Sequence, residues 1–356
     1  MKSDDGSSNS SGFVVKRKVQ VTGGSTYIVS IPKEWAKLLN IDRGAEVLLE
    51  LNPEGWIRLR ASDAAPNRSE RVAQITISPN ASDATLSMEV ISAYLTGYDT
   101  IVLRFSPDAS EVAEKVANFV RTKAIGLELL EESYDQLILK AVADLTSISA
   151  RMVVENMIKV VKSMIEDLSD VVEGLRQRGL LETVVRRDDI VDKLYLYIYK
   201  QLNLALQGLM SPKELGMNTL AESINIFTLV KSLERIADQV VSIAQWLLDY
   251  DKQLPPDVRQ LFDKVKGSVM RSIDLASTLS REQAVTMYES LHEEALWVAE
   301  LYSKARASGC ANECYPVFDG ARRMLAHTID LLEAIMGLNF LKGLEAHVLQ
   351  GAANGP

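Results

Sequence analysis

The chain has 356 residues, of which 47% are hydrophobic and 24% charged, and a formal net charge of −9. This is the composition of a globular protein with two or three domains and sizeable cores. Its two cysteines, Cys310 and Cys314, exclude a disulfide framework, and no apolar run reads as long enough for a membrane span.

The first twelve residues, MKSDDGSSNSSG, are polar and lack the apolar core of a signal peptide. We expect a disordered tail there, a cytoplasmic home and no membrane insertion. Residues 13–61 predict strand, strand, short helix, strand, strand. FVVKRKVQV is basic and β-branched, and TGGST is a turn. YIVSIP alternates and stops at Pro32, and KEWAKLLN follows as a short helix. IDRGAEVLLELN and WIRLRA are two strands joined by the turn tripeptide PEG. About 50 residues in this arrangement bury too little surface to be stable alone, so an interlocked dimer is expected.

Residues 62–72, ASDAAPNRSER, read as a linker, and 73–145 alternate strand and helix as a small α/β module. Ser110 is expected to cap its second helix and Gly126 to end it, before a closing hairpin of LELLEES and DQLILKAVA. No phosphate loop or nucleophile elbow occurs in this module. From about 148 onward the chain is wholly helical. Long segments are expected at 148–176, 180–210, 214–250, 256–279, 281–307 and 312–345, broken at Gly179, Pro212, Pro255–Pro256 and Gly309. Short connections between long helices argue for antiparallel bundles. DKQLPP at 251–256 divides the region into sets of three, 146–250 and 251–356. The two cysteines of CANEC read as reduced thiols in a loop or first helical turn; C-x3-C without a second pair is a weak zinc signal.

Charge is unevenly spread. Residues 13–61 hold eight Lys/Arg against five Asp/Glu, a net +3, and residues 1–12 carry −1, which leaves −11 for the rest. On the basic head, Lys16, Arg17 and Lys18 share one strand and Arg43 lies in the IDRG turn. A dimer doubles them into a patch able to contact phosphates in a salt-dependent way. A basic strand edge that only discourages aggregation is the plainer alternative.

Carboxylates in the helical region are paired at helical spacing. Glu234 and Asp238 lie four apart in SLERIADQVVSIA, and Asp188 and Asp192 four apart in RRDDIVDKLYLYI, with Asp189 alongside. Like charges at that spacing cost roughly 0.2–0.5 kcal/mol. The core stripe of the third helix runs through Leu229, Leu233, Ala237, Val240, Ala244 and Leu247. Glu234 and Asp238 then fall about 100° and 140° from its centre, bordering the seam and facing a groove or the surface. In the second helix Val191, Leu194, Ile198, Leu202 and Leu209 form the stripe, with Asp188 and Asp192 on its edge. Two such edges on neighbouring helices would gather four or five carboxylates, and a multivalent cation would relieve their repulsion. All-oxygen donors suit Mg2+ or Mn2+ and are compatible with iron. A solvated acidic edge is the alternative. LERIADQVVSIAQ aligns loosely with LAHTIDLLEAIMG, 325–337: Leu233 falls on Leu325, Ile236 on Thr328 and Asp238 on Asp330, while Glu234 falls on Ala326. A weaker second site is therefore expected from Glu289, Glu293 and Asp330, with His292 and His327 nearby.

DDIVDKLYLYI followed by LERIADQVVSIA resembles the PhoU family of phosphate-signalling regulators. The resemblance implies two three-helix bundles and multinuclear metal clusters, with Asp188, Asp192, Glu234 and Asp238 in the ligand roles. Ala237 stands where the family usually has glycine, and SPKELGMN only partly fits the usual interhelical loop. The stretch GGSTYIVSIPKEW followed by LNIDRGAEVLLEL is similar to AbrB-type, swapped-hairpin domains, which implies an interlocked dimer that presents Arg and Lys to DNA. The expected architecture is thus multidomain: a β-rich AbrB-like head, a small α/β module and a PhoU-like pair of three-helix bundles. It is similar to that of archaeal phosphate uptake regulators. The function it implies is metal-binding control of phosphate uptake by a DNA-binding homodimer. In the alternative the head only dimerises and the bundles dock on a phosphate-transporter ATPase or a signalling kinase. Metal-assisted phosphoester hydrolysis ranks last, because no general acid or base stands near the carboxylates, so no enzyme is expected.

Overall fold

The computed structural model describes residues 14–51, 56–61, 70–307 and 313–353. The expected N-terminal tail, the PEG turn, most of the linker and Cys310 lie outside these residues. The chain divides into two compact units, Met1–Ser69 and Glu70–Pro356.

In the first unit, β1 (Gln20–Thr22) and β2 (Thr26–Ile28) form an antiparallel hairpin with Gln20 opposite Ile28. Pro32, with φ at −57°, leads into α1 (Lys33–Leu38). Strands β3 (Val47–Leu51) and β4 (Ile57–Ala61) form a second hairpin with Val47 opposite Ala61. The strand expected over FVVKRKVQV is shorter than its composition suggests, since only Gln20 and Val21 of it pair in β1. Among the described residues, Ala61 is the one buried apolar side chain of this unit. Tyr27 is 74% exposed and Leu51 75%, so the two hairpins have no core of their own.

The second unit opens with the α/β module. Strand β5 (Val72–Ile77) is followed by α2 (Asp83–Leu95), β6 (Thr100–Phe105), α3 (Ser110–Lys123), β7 (Leu127–Glu132) and β8 (Gln136–Ala141). The sheet order is β5-β6-β8-β7, with β5 and β6 parallel around the α2 crossover and the other pairs antiparallel. Ser82 caps α2 by accepting from the Thr85 amide. Ser110 is the first helical residue of α3 and not its cap, because a 3-10 turn at Pro107–Ala109 runs directly into the helix. Val90, Tyr94, Ile101, Leu103, Val120 and Leu139 fill the core between sheet and helices.

Six helices follow: α4 (Ala150–Val172), α5 (Leu180–Leu206), α6 (Glu222–Asp249), α7 (Pro256–Thr278), α8 (Arg281–Ala307) and α9 (Tyr315–Ala353). The third begins at Glu222 and not at 214. Ser211 and Glu214 form a reciprocal capping box around a 3-10 turn that ends at Gly216 in the left-handed conformation, and the long helix restarts beyond it. All six expected stripe residues of α6 are buried, as are Val191, Ile198 and Leu202 of α5; Leu194 and Leu209 are half-buried.

The two sets of three are not separate bodies. Helix α6 packs most extensively against α9, and α4 also meets α7, so one apolar core runs through all six. Two glycines of α9 permit this approach. A Cβ at Gly320 would stand 2.7 Å from Ile243 Cδ1, and one at Gly337 2.3 Å from Asn225 Oδ1. Gly320 facing Ile243 and Gly337 facing Asn225 set the two helices antiparallel. Residues Tyr315–Gly343 of α9 are long and apolar enough to cross a membrane, contrary to the expectation that no such run exists. The run is apolar because it packs against α6, α7 and α8, burying Val317, Phe318, Ala321, Met324 and Leu325.

Candidate metal centre

Spacing alone brings Asp188 and Asp192 to one face of α5, and Glu234 and Asp238 to one face of α6. Since α5 and α6 pack together, the two faces share a neighbourhood. Burial pushes the Asp188 carboxyl up to about 6, helped by the charges of Asp192 and Asp238. Burial likewise pushes Asp238 up to about 6, helped by Glu234 and Asp192. Asp188, Asp192 and Asp238 thus lie within electrostatic reach of a carboxylate on the facing helix, and Glu234 within reach of Asp238 on its own.

Glu234 is deeper than a seam-bordering residue should be, at 9% exposure. Thirteen of the 28 residues of α6 are buried, more than one face of a helix supplies, because α9 covers a second side. Its Oε1 accepts from Lys231 Nζ at 2.7 Å. Its Oε2 is buried without a hydrogen-bond partner, with Arg235 Nε at 3.6 Å. Asp188 Oδ1 is buried and unpartnered in the same way. An unpartnered buried carboxylate oxygen is costly.

Two lysines absent from the sequence-derived site answer part of this charge. Lys231 sits one turn before Glu234, with its ammonium 4.4 Å from the Tyr195 ring centroid. Burial and the charge of Glu234 push the Tyr195 phenol up to about 12. Lys123, the last residue of α3, reaches from the α/β module to Asp189 Oδ1 at 2.6 Å and Asp192 Oδ2 at 2.7 Å. Burial alone would lower the Lys123 pKa, but these two hydrogen bonds outweigh it and raise it. The i, i+3 position of Lys231 was visible in the sequence; nothing local announces Lys123, 69 residues before Asp192.

Among the described residues, no group of three or more His, Cys, Asp or Glu side chains converges as a ready-made metal cage. The donor set nevertheless fits a hard cation: four carboxylates, no sulfur or nitrogen ligand, and two buried oxygens without a hydrogen bond. The two ammoniums already supply positive charge to Glu234, Asp189 and Asp192.

The expected second site lies at the surface. Glu289 and Glu293 are exposed on α8, and Asp330 is exposed on α9, where it pairs with His327 at 3.6 Å. No hydrogen bond or ion pair among the described residues joins the three. The buried acid of α8 is Glu294, which accepts from Ser268 at 2.6 Å on α7. His292 is exposed and stacks beside Tyr288 with centroids 4.6 Å apart. The aligned pairs differ accordingly: Leu233 and Leu325 are both buried, but Glu234 is buried and Ala326 exposed. In the head, Lys16, Arg17 and Lys18 lie exposed in the extended stretch before β1, and Arg43 is exposed in the turn before β3. None of the four has an ion-pair partner among the described residues.

Residues 154–247 match the family model of the PhoU domain, and residues 20–67 match that of the antidote-toxin recognition domain MazE of bacterial antitoxins. The first span runs from the start of α4 to the end of α6 and contains all four carboxylates; the second contains both hairpins of the head. Comparison with curated proteins and with solved structures returned no match.

Proposed function

We propose that a chain combining a PhoU domain with a MazE-type head is a metal-binding, non-catalytic regulator of phosphate homeostasis that binds DNA as a dimer. The observation that carries the metal assignment is the placement of Asp188, Asp192, Glu234 and Asp238 where α5 meets α6, with two buried oxygens left without a hydrogen bond. These residues would hold Mg2+, Mn2+ or iron, and the cation would supply the positive charge that the buried oxygens lack. Below about pH 6, Asp188 and Asp238 would shed protons on loading, while Lys231 orients Glu234.

The head supports the dimer and the DNA partner. Two coreless hairpins become stable only when a second surface covers residues such as Tyr27, Leu49, Leu51 and Ile57. A second copy of the same head does this and brings two sets of Lys16, Arg17, Lys18 and Arg43 together. The test is an anisotropy titration of duplex DNA with the whole chain at several salt concentrations. Affinity that falls steeply with salt supports the reading.

The same exposed apolar residues favour a second reading, in which the head only joins two copies and the helical body docks on a phosphate-transporter ATPase or a signalling kinase. Salt-independent or absent DNA binding by an intact dimer selects it.

A further inference from the structure

The α/β module meets the first three helices mainly along α5, and the two ends of that contact differ. At the C-terminal end of α5 the contact is apolar and hydrogen-bonded. Leu196 and Tyr199 pack against the module's core. Lys200, buried, holds its ammonium 3.7 Å from the Tyr94 ring centroid. Asn203 and Gln207 donate to the last carbonyls of α2 and its cap, Leu95 O and Thr96 O, each at 3.0 Å. These bonds satisfy helix-terminal acceptors that would otherwise lack partners. At the other end of the contact, midway along α5, the side-chain hydrogen bonds to the module among the described residues are those of Lys123 to Asp189 and Asp192.

Asp192 therefore has two claimants. It belongs to the carboxylate group assigned above to a cation, and it is already neutralised by an ammonium from a different element. Lys123 bonds Oδ2 of Asp192, and a divalent ion drawing on the same carboxylate would repel the ammonium and weaken its hold. Lys123 is well suited to yield. Its stem is flexible and its side chain 19% exposed, and Asp189, 64% exposed, remains as a solvated partner.

We propose that Lys123 is the internal competitor of the metal. It occupies the Asp189–Asp192 edge in the metal-free protein and gives up Asp192 on loading, which leaves the C-terminal turn of α3 held to α5 by the exposed Asp189 pair and so loosened, while the far end of the contact stays fastened. This inference rests on the metal-binding reading of the carboxylates. It gives the α/β module a role as the element that reports metal occupancy.

The test uses the whole chain, stripped with a chelator. Mn2+ affinity is measured by competition with a metal-sensitive dye for the wild type, Lys123→Met and Lys123→Arg. Backbone amide exchange across 116–126 is followed with and without Mn2+, which needs no variant. Lys123→Met is expected to bind Mn2+ about three- to tenfold tighter, the order expected when a partly buried ion pair no longer competes, while Lys123→Arg stays near wild type. In the wild type, Mn2+ is expected to speed exchange in the last turn of α3 and leave α2 unchanged. If Mn2+ binds but Lys123→Met shows unaltered affinity and α3 exchange does not respond, the competitor role is overturned and the metal site stands. If neither wild type nor Lys123→Met binds Mn2+, the metal site itself falls and Lys123 with it.

Discussion

Asp188 on α5 and Asp238 on α6 are displaced in the same direction by the same cause: burial pushes each carboxyl up to about 6, and neighbouring carboxylates add to it. Two helices thus keep acids at their junction that water alone would leave ionised well below that value. Neutralising either one should relieve the metal-free protein. We expect Asp188→Asn and Asp238→Asn each to stabilise the chelated protein at pH 7 by about 1 kcal/mol, a discounted fraction of the roughly 1.4 kcal/mol per pKa unit. Both should also lose metal affinity. Urea unfolding in chelator checks this: variants that are less stable than wild type would show the carboxylates to be favourably placed without an ion.

The pH dependence follows with a defined sign. A native carboxyl above its unfolded value, about 3.9 for Asp, holds a proton that the unfolded chain has already lost. Its contribution to stability therefore falls as pH rises from about 4 to about 6 and is level beyond. Other carboxyls, such as Glu173 lowered by its Ser169 hydrogen bond, act in the opposite direction. The measurable quantity is therefore the difference between Asp188→Asn and wild type, which should grow across that window in chelator. With Mn2+ present, affinity should drop as pH falls below about 6, because protons then compete for the same oxygens.

Lys231 compensates a deeply placed acid, since Glu234 is 9% exposed and the ammonium is 2.7 Å from its Oε1. Removing one partner of such a pair leaves the other uncompensated. Lys231→Met is expected to destabilise the chelated protein by about 1–3 kcal/mol, and saturating Mn2+ should recover much of the loss. Melting curves with and without Mn2+ provide the comparison. A loss that Mn2+ leaves untouched would separate Lys231 from the metal.

At Gly320 and Gly337, α9 approaches α6 more closely than a Cβ would allow. Gly320→Leu should force the helices apart at Ile243 and cost about 1–3 kcal/mol, the usual range for overpacking. Because α6 carries Glu234 and Asp238, the same change should weaken Mn2+ binding. Unaltered melting would mean that the two sets of three helices are joined elsewhere.

On the head, Lys16→Ala, Arg17→Ala and Lys18→Ala together remove six cations from a dimer and should reduce the slope of log affinity against log salt by up to about 5 if all contact phosphate. The dimer should be unaffected, since its apolar surface lies on β1 to β4. Size-exclusion chromatography alongside anisotropy reads both.

What was legible in the sequence is what repeats locally. The stripes Leu229 to Leu247 and Val191 to Leu202 follow helical spacing, and so do the carboxylate pairs, because i, i+4 geometry needs no tertiary knowledge. The depth of Glu234 was not legible, since it depends on α9 arriving from almost a hundred residues away to cover a second side of α6. Lys123 escaped for the same reason. On α8, spacing made Glu289 and Glu293 equal candidates, but the packed face carries Glu294, and only tertiary contact with Ser268 reveals that. The basic strand FVVKRKVQV was read too long because its first residues have strand composition, and strand composition alone supplies no pairing partner.

The metal assignment is tested most directly by equilibrium dialysis of the chelator-stripped chain against Mn2+ and against iron, with elemental analysis of the retained protein. Wild type would be compared with Glu234→Gln combined with Asp238→Asn. Retention of metal by the folded wild type and its loss from the folded double variant is the predicted result. Equal retention by both proteins, or none by either, would contradict a cation held between α5 and α6.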